Sequence, residues 1–98
     1  MVDWQKTAEF VAKKHNLSIL RTLINGQQGL GFNSIMNTNT GITPRILSTR
    51  LKELEKSGLI QKNLVLGTKP KIEYLALPKA QGLKKIISEL DKWGQKEL

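Results

Sequence analysis

An α+β fold follows from three features of the chain. Apolar residues recur at helical spacing through residues 1–57, at a period of two over residues 59–77, and at helical spacing again from 79 to 96. The chain has 98 residues, 39% of them hydrophobic, which is enough for one core and one domain spanning 1–98.

The first helix is expected over about residues 3–15, with Asp3 as its N-cap. Trp4, Ala8, Val11 and Ala12 fall on one face, and Phe10 points the other way among Lys6, Lys13 and Lys14. Asn16 can cap a second helix over 17–25, with Leu17, Leu20, Leu23 and Ile24 as its core stripe and Gly26 at its end. Residues 27–31 form a connector with room for a short strand, and Gly26, Gly29 and Gly31 read as turn glycines rather than as a nucleotide-binding fingerprint. A short third helix over 32–38 buries Phe32, Ile35 and Met36, and residues 37–41 carry polar turn chemistry.

The helix over 44–57 is the best specified. Thr43 is a good N-cap, Pro44 suits the first helical position, and Gly58 stands where a left-handed residue ends a helix. Leu47, Leu51 and Leu54 share a narrow arc, while Arg45, Thr49 and Lys52 occupy the opposite face with Ser48 at its border. Residues 59–77 then read as a β-hairpin turned at Gly67 and Pro70, with Lys69 and Lys71 at its tip. Pro78 stops the second strand, and a last helix over 79–96 carries Leu83, Ile87 and Leu90, widened by Ile86 and Trp93. Helix, helix, short helix, capped helix, basic hairpin, terminal helix is the order of a winged helix-turn-helix, here with terminal helices that form a dimer seam.

Charge narrows the function. Sixteen Lys and Arg against eight Asp and Glu give a net charge of +8. Eight of the basic residues and three of the acidic ones lie between 44 and 79. No acidic residue occurs between Glu9 and Glu53. Such a concentrated excess favours an anionic partner over a merely solvated surface. The chain has no cysteine, which removes disulfides, Cys-ligated zinc and thiol switching. No run approaches the roughly 18 apolar residues of a membrane span, and the first ten residues show no export signal, so a cytoplasmic location is expected. His15 is the one histidine, and Glu53/Glu55 and Glu89/Asp91 are spaced i, i+2 and do not face each other. No catalytic residue, metal site or cofactor is therefore expected, and no effector is legible.

The run from Phe32 to Lys62 resembles the HxlR-type branch of winged-helix transcription regulators, within the wider MarR-like superfamily. That pattern runs F-x-E-L, G-I-S, L-S-x-R-L-K-x-L-E and G-L-[IV]. It is matched here by Phe32, by Gly41-Ile42-Thr43, by Leu47-Ser48 with Arg50-Leu51-Lys52 and Leu54-Glu55, and by Gly58-Leu59-Ile60. Pro70 with Ile72-Glu73-Tyr74 is similar to the P-x-V-E-Y of the second wing strand, and Leu83, Leu90 and Trp93 are similar to the dimerising last helix. The chain departs from the pattern in lacking the N-terminal Cys and the Trp before helix 2, and Leu77 stands where a capping Thr is usual. The thiol sensing known in some relatives is therefore closed to it.

The resemblance implies a sequence-specific, homodimeric regulator of transcription, with repression the expected outcome. A recognition helix over 44–57 enters the major groove of double-stranded DNA, and a wing over 66–71 steadies the flank. Thr43, Pro44, Arg45, Ser48, Thr49, Lys52, Lys69 and Lys71 are the expected DNA contacts. Arg50 lies toward the buried flank, where an intramolecular role is expected. Phe10, Ile86, Leu90 and Trp93 are expected at the dimer seam, with Trp4 assigned to the core. Two rivals stand beside this reading: a protein-interaction module in a larger assembly, and an RNA-binding domain. Aromatic residues make up only 5% of the chain, which disfavours single-strand stacking.

Overall fold

A computed structural model describes residues 2–98. Helix α1 covers Trp4–Ala12, and Asp3 caps it by accepting from the Lys6 N–H at 3.0 Å. The helix ends three residues before the expected position 15 because Asn16 intervenes. The Asn16 side-chain amide donates to the Phe10 carbonyl at 3.2 Å, taking the acceptor that a further turn would have used. His15 is then left-handed, with φ of 75°. Asn16 is accordingly not the N-cap of helix α2 (Asn16–Asn25) but its first, buried residue, serving the end of α1 instead.

The faces of α1 are also reversed from the sequence expectation. Trp4, assigned to the core, is 77% exposed, whereas Phe10, assigned to the outward seam, packs partly against the core. No residue of α1 is fully buried, and of its apolar stripe only Ala8 is half-buried, with Trp4, Val11 and Ala12 exposed. The bend at Asn16, rather than hydrophobic spacing, sets which side of this short helix faces inward.

Helix α2 runs through the middle of the core and buries Ile19, Leu20, Leu23 and Ile24, with Leu17 only half-buried. Gly26 ends it in an ordinary right-handed conformation. Its missing side chain serves close packing, since a Cβ there would stand 2.7 Å from the Leu30 Cδ1. Helix α3 (Phe32–Thr38) buries Ile35, and Phe32 and Met36 pack against the core.

Helix α4 (Pro44–Lys56) begins on Thr43, whose hydroxyl accepts from the Ile46 N–H at 3.2 Å. It buries Leu47, Leu51 and Leu54. Gly58 follows with φ of 77°, a conformation that a Cβ penalises.

Strands β1 (Ile60–Val65) and β2 (Lys71–Ala76) pair antiparallel, from Ile60 opposite Ala76 to Val65 opposite Lys71. Leu30 adds a single bridge to Tyr74 through two backbone hydrogen bonds of 2.9 and 2.8 Å, so the connector holds one bridging residue and no strand. The bridge anchors the base of the hairpin to the helical body.

The last helix is not continuous over 79–96. It divides into α5 (Pro78–Gln81) and α6 (Lys84–Glu97), separated at Gly82 and Leu83. The Leu83 N–H turns back to the Ala80 carbonyl at 2.9 Å, an i→i−3 bond that tightens the chain at the glycine. Leu77 supplies no side-chain cap. Burial of Ala80 on one side of the break and Ile87 on the other fixes the change of direction.

A candidate nucleic-acid interface

The outward side of α4 is the most coherent polar surface of the domain. Burial of Leu47, Leu51 and Leu54 on the inner side leaves Thr43, Pro44, Arg45, Thr49 and Lys52 exposed, with Ser48 half-buried at the border. Ile46 stands partly exposed among them, an apolar member that the charge pattern did not single out. The Thr49 hydroxyl donates to the Arg45 carbonyl at 3.0 Å. Arg45 and Lys52 make no ion pair among the described residues.

The electrostatics of the α4 N-terminus are unusual for a helix left to itself. Its first turn holds no acidic residue and does hold Arg45, a cation at the positive end of the helix dipole. That arrangement opposes folding slightly and favours an arriving anion.

Two polar clusters set the position of α4. The first is Asn39, in the turn between α3 and α4, which is buried although it is polar. Its amide donates to the Ile35 carbonyl at 2.7 Å and to the Thr22 hydroxyl at 3.2 Å, and its carbonyl oxygen accepts from Ser18. The turn that leads into α4 is thereby tied to α2. The residues 37–41 signalled a turn, but nothing in them distinguished this hub from its exposed neighbours. An asparagine four residues after the buried Ile35 was the available clue.

The second cluster joins α4 to the end of α1. Arg50, whose side chain is only 16% exposed, donates to the Lys14 carbonyl at 3.1 Å and to Glu53 at 3.2 Å. Glu53 also receives Lys13 at 2.8 Å. Arg50 therefore has the intramolecular role expected of it.

The hydrogen bond from Lys13 is the main cause that holds the Glu53 carboxyl below its ordinary range, with the charges of Lys13 and Arg50 adding to it against a desolvation that raises it. A carboxyl depressed in the folded state contributes stability that is present above its unfolded pKa and lost as pH falls through the folded one. Both partners of the Lys13 pair are more than a third exposed, so the contribution is small. Glu53→Gln is expected to flatten the acid side of the stability curve. Urea unfolding midpoints measured between about pH 3 and pH 7 check this.

The wing presents Lys69 and Lys71 at its exposed end as expected, with Lys62 on β1. Lys71 is shared with Glu73, 3.3 Å away, whereas Lys69 has no ion-pair partner among the described residues. On the last helix, Ile86, Leu90 and Trp93 form one exposed apolar strip along α6, together with the stems of Lys85 and Glu89. No group of three or more His, Asp or Glu side chains is placed to hold a metal among the described residues. No helix among them is long and apolar enough to cross a membrane.

The chain is similar to proteins named as transcriptional regulators. Residues 10–98 match the family model for the HxlR-like helix-turn-helix. The uncharacterized HTH-type transcriptional regulator YvaP of Bacillus subtilis is 32% identical over 90 residues, covering 92% of this chain and 82% of YvaP. A solved structure from Porphyromonas gingivalis W83, assigned to the MarR family of transcriptional regulators, superposes with a TM-score of 0.84 at 27% identity, covering 100% of this chain and 98% of that one. A possible HxlR family transcriptional factor from Thermoplasma volcanium gives a TM-score of 0.81 at 26% identity, covering 96% of this chain and 84% of the other. The relatives are transcriptional regulators and not enzymes.

Proposed function

This chain belongs to the HxlR-like helix-turn-helix family of transcriptional regulators, and from that premise we propose that it is a homodimeric, sequence-specific repressor of transcription. The N-terminal half of α4 enters a major groove, about 12 Å wide, which admits one helix with short or flexible outward side chains. Arg45 and Lys52 meet base edges or phosphates, and Thr43, Pro44, Ser48 and Thr49 line the approach. The wing lysines Lys69 and Lys71 hold the flanking backbone.

The single observation that carries this reading is the outward face of α4, where an acid-free first turn holds Arg45 and Lys52 follows two turns on, neither of them ion-paired among the described residues. The α6 strip of Ile86, Leu90 and Trp93 supports a second copy as partner, because an apolar strip of this kind is hidden by association in small domains. Phe10, already partly covered by its own domain, contributes less than the sequence suggests. A two-fold dimer places its two recognition helices about 34 Å apart, one turn of duplex. Bound there over a promoter, it excludes the transcription machinery.

Selection from a pool of random duplexes tests the proposal. The expected product is an inverted repeat with half-sites one turn apart, bound by two protomers. Failure to enrich any sequence, or enrichment of an isolated half-site bound by one protomer, would overturn it.

A further inference from the structure

Beyond the core contacts of Ile60 and Tyr74, the wing hairpin carries an apolar end that a phosphate clamp does not require. Leu64 and Ile72 are cross-strand partners, 64% and 45% exposed, and Leu66 opens the turn at 77% exposed. Their surroundings are basic. Lys62 lies two residues before Leu64 and so on its face, Lys69 and Lys71 follow across the turn, and Glu73 is the one acidic residue between Glu55 and Glu89. Three clustered branched side chains on a two-stranded ribbon invite unwanted pairing, a cost usually avoided unless something covers them.

We propose that this tip is an apolar wedge for the minor groove beside the site read by α4. Leu66 enters between base pairs, and Leu64 and Ile72 lie against the sugars that wall the groove. The inference rests on the DNA-binding reading above. A minor groove about 6 Å wide excludes a two-stranded ribbon, whose strands alone stand about 4.8 Å apart, yet it admits one branched side chain at a turn. Deoxyribose presents C–H faces along the groove walls, which suit leucine and isoleucine. The phosphates on either rim suit the lysines beside them. A polyanion fits the near absence of acid around the tip better than a protein surface does.

An inserted leucine unstacks the step it enters, and TA and CA/TG steps open most easily. The wing thereby adds selectivity through deformability, at positions α4 does not touch. The 2-aminopurine signal placed at flanking steps of a bound duplex reports this unstacking directly. Wild-type protein is expected to brighten the probe and to prefer a TA-flanked duplex over an A-tract-flanked one by about tenfold. Leu66→Ser is expected to abolish the brightening and bring that preference close to unity, with an unchanged dependence on salt. Leu66→Met retains both. Lys69→Ala is expected to do the reverse, lowering the salt slope by about 0.9 while keeping the flank preference.

Duplex binding by the wild type without brightening or flank preference would overturn the wedge alone. So would a Leu66→Ser protein that keeps both, or one whose mass in free solution differs from wild type, since the tip would then be covered by another copy. Absence of any duplex binding would instead overturn the DNA-binding reading on which the wedge rests.

Discussion

Leu47→Ala is expected to destabilise the domain by about 3 kcal/mol, the largest loss of stability anticipated for any single truncation of α4. Leu47 is completely buried, on the inner stripe that Leu51 and Leu54 continue. Truncation removes the transfer energy of three carbons and leaves a cavity that neighbours on several elements cannot close together. A domain of this size typically has about 5–15 kcal/mol of stability and loses about 4–8 °C of Tm per kcal/mol, so the change lowers Tm by roughly 12–24 °C. Calorimetry or a thermal melt followed by circular dichroism measures it. A shift of only a few degrees would mean that α4 is not seated as described, and the face it offers to solvent would change with it.

The legibility of this fold in its sequence varies by element, for physical reasons. Helix α4 was legible to within a residue because its start, its stop and its stripe are local signals: Thr43 and Pro44 before it, Gly58 after it, and leucines between. The hairpin was legible for the same reason, through its change of period and its turn residues. Helix α1 was misread in orientation and length. Its hydrophobic spacing favours the face of Trp4, Ala8, Val11 and Ala12, but a tertiary hydrogen bond from Asn16 to Phe10 turns the opposite face inward. The break at Gly82 was missed because a lone glycine is tolerated in many helices, and burial of Ala80 and Ile87 decides the matter here.

The candidate site divides in the same way. Which residues of α4 face outward follows from period alone, and Arg45, Thr49 and Lys52 are exposed as that period requires. The parts that aim the helix do not follow from period. Asn39 reaches back to α2, and Arg50 and Glu53 reach across to the end of α1, over separations that no local pattern encodes. The apolar wing tip did not stand out in the sequence, because only exposure distinguishes Leu64, Leu66 and Ile72 from residues of a strand packed on the core.

The second large effect concerns function rather than stability. Arg45 and Lys52 lie seven residues apart, two turns along one face of α4, and neither has an anionic partner of its own among the described residues. Each is free to make a charge-assisted hydrogen bond to a phosphate or a base edge, an interaction about twice as strong as its neutral counterpart. Removing both is expected to weaken duplex binding by roughly a hundredfold near 0.1 M salt and to lower the salt slope by up to about 1.8. The fold should be untouched, because both side chains are exposed and unpaired. Lys92→Ala serves as the control. Lys92 is a cation on α6, beside Glu89 at 3.8 Å and on neither α4 nor the wing, and its loss should leave the slope unchanged.

The central claim is that the α4 face meets double-stranded DNA, and its most direct test is one titration. Fluorescence anisotropy of a selected duplex, and of RNA of the same sequence, is followed across salt for the wild type and for the Arg45→Ala, Lys52→Ala double variant. The expected result is tight duplex binding by the wild type, with affinity falling linearly on a log–log plot against salt. The double variant should bind more weakly with a shallower slope, and RNA should bind more weakly than duplex. Absent duplex binding at low salt, binding that the double substitution leaves unaltered, or a preference for RNA would contradict it.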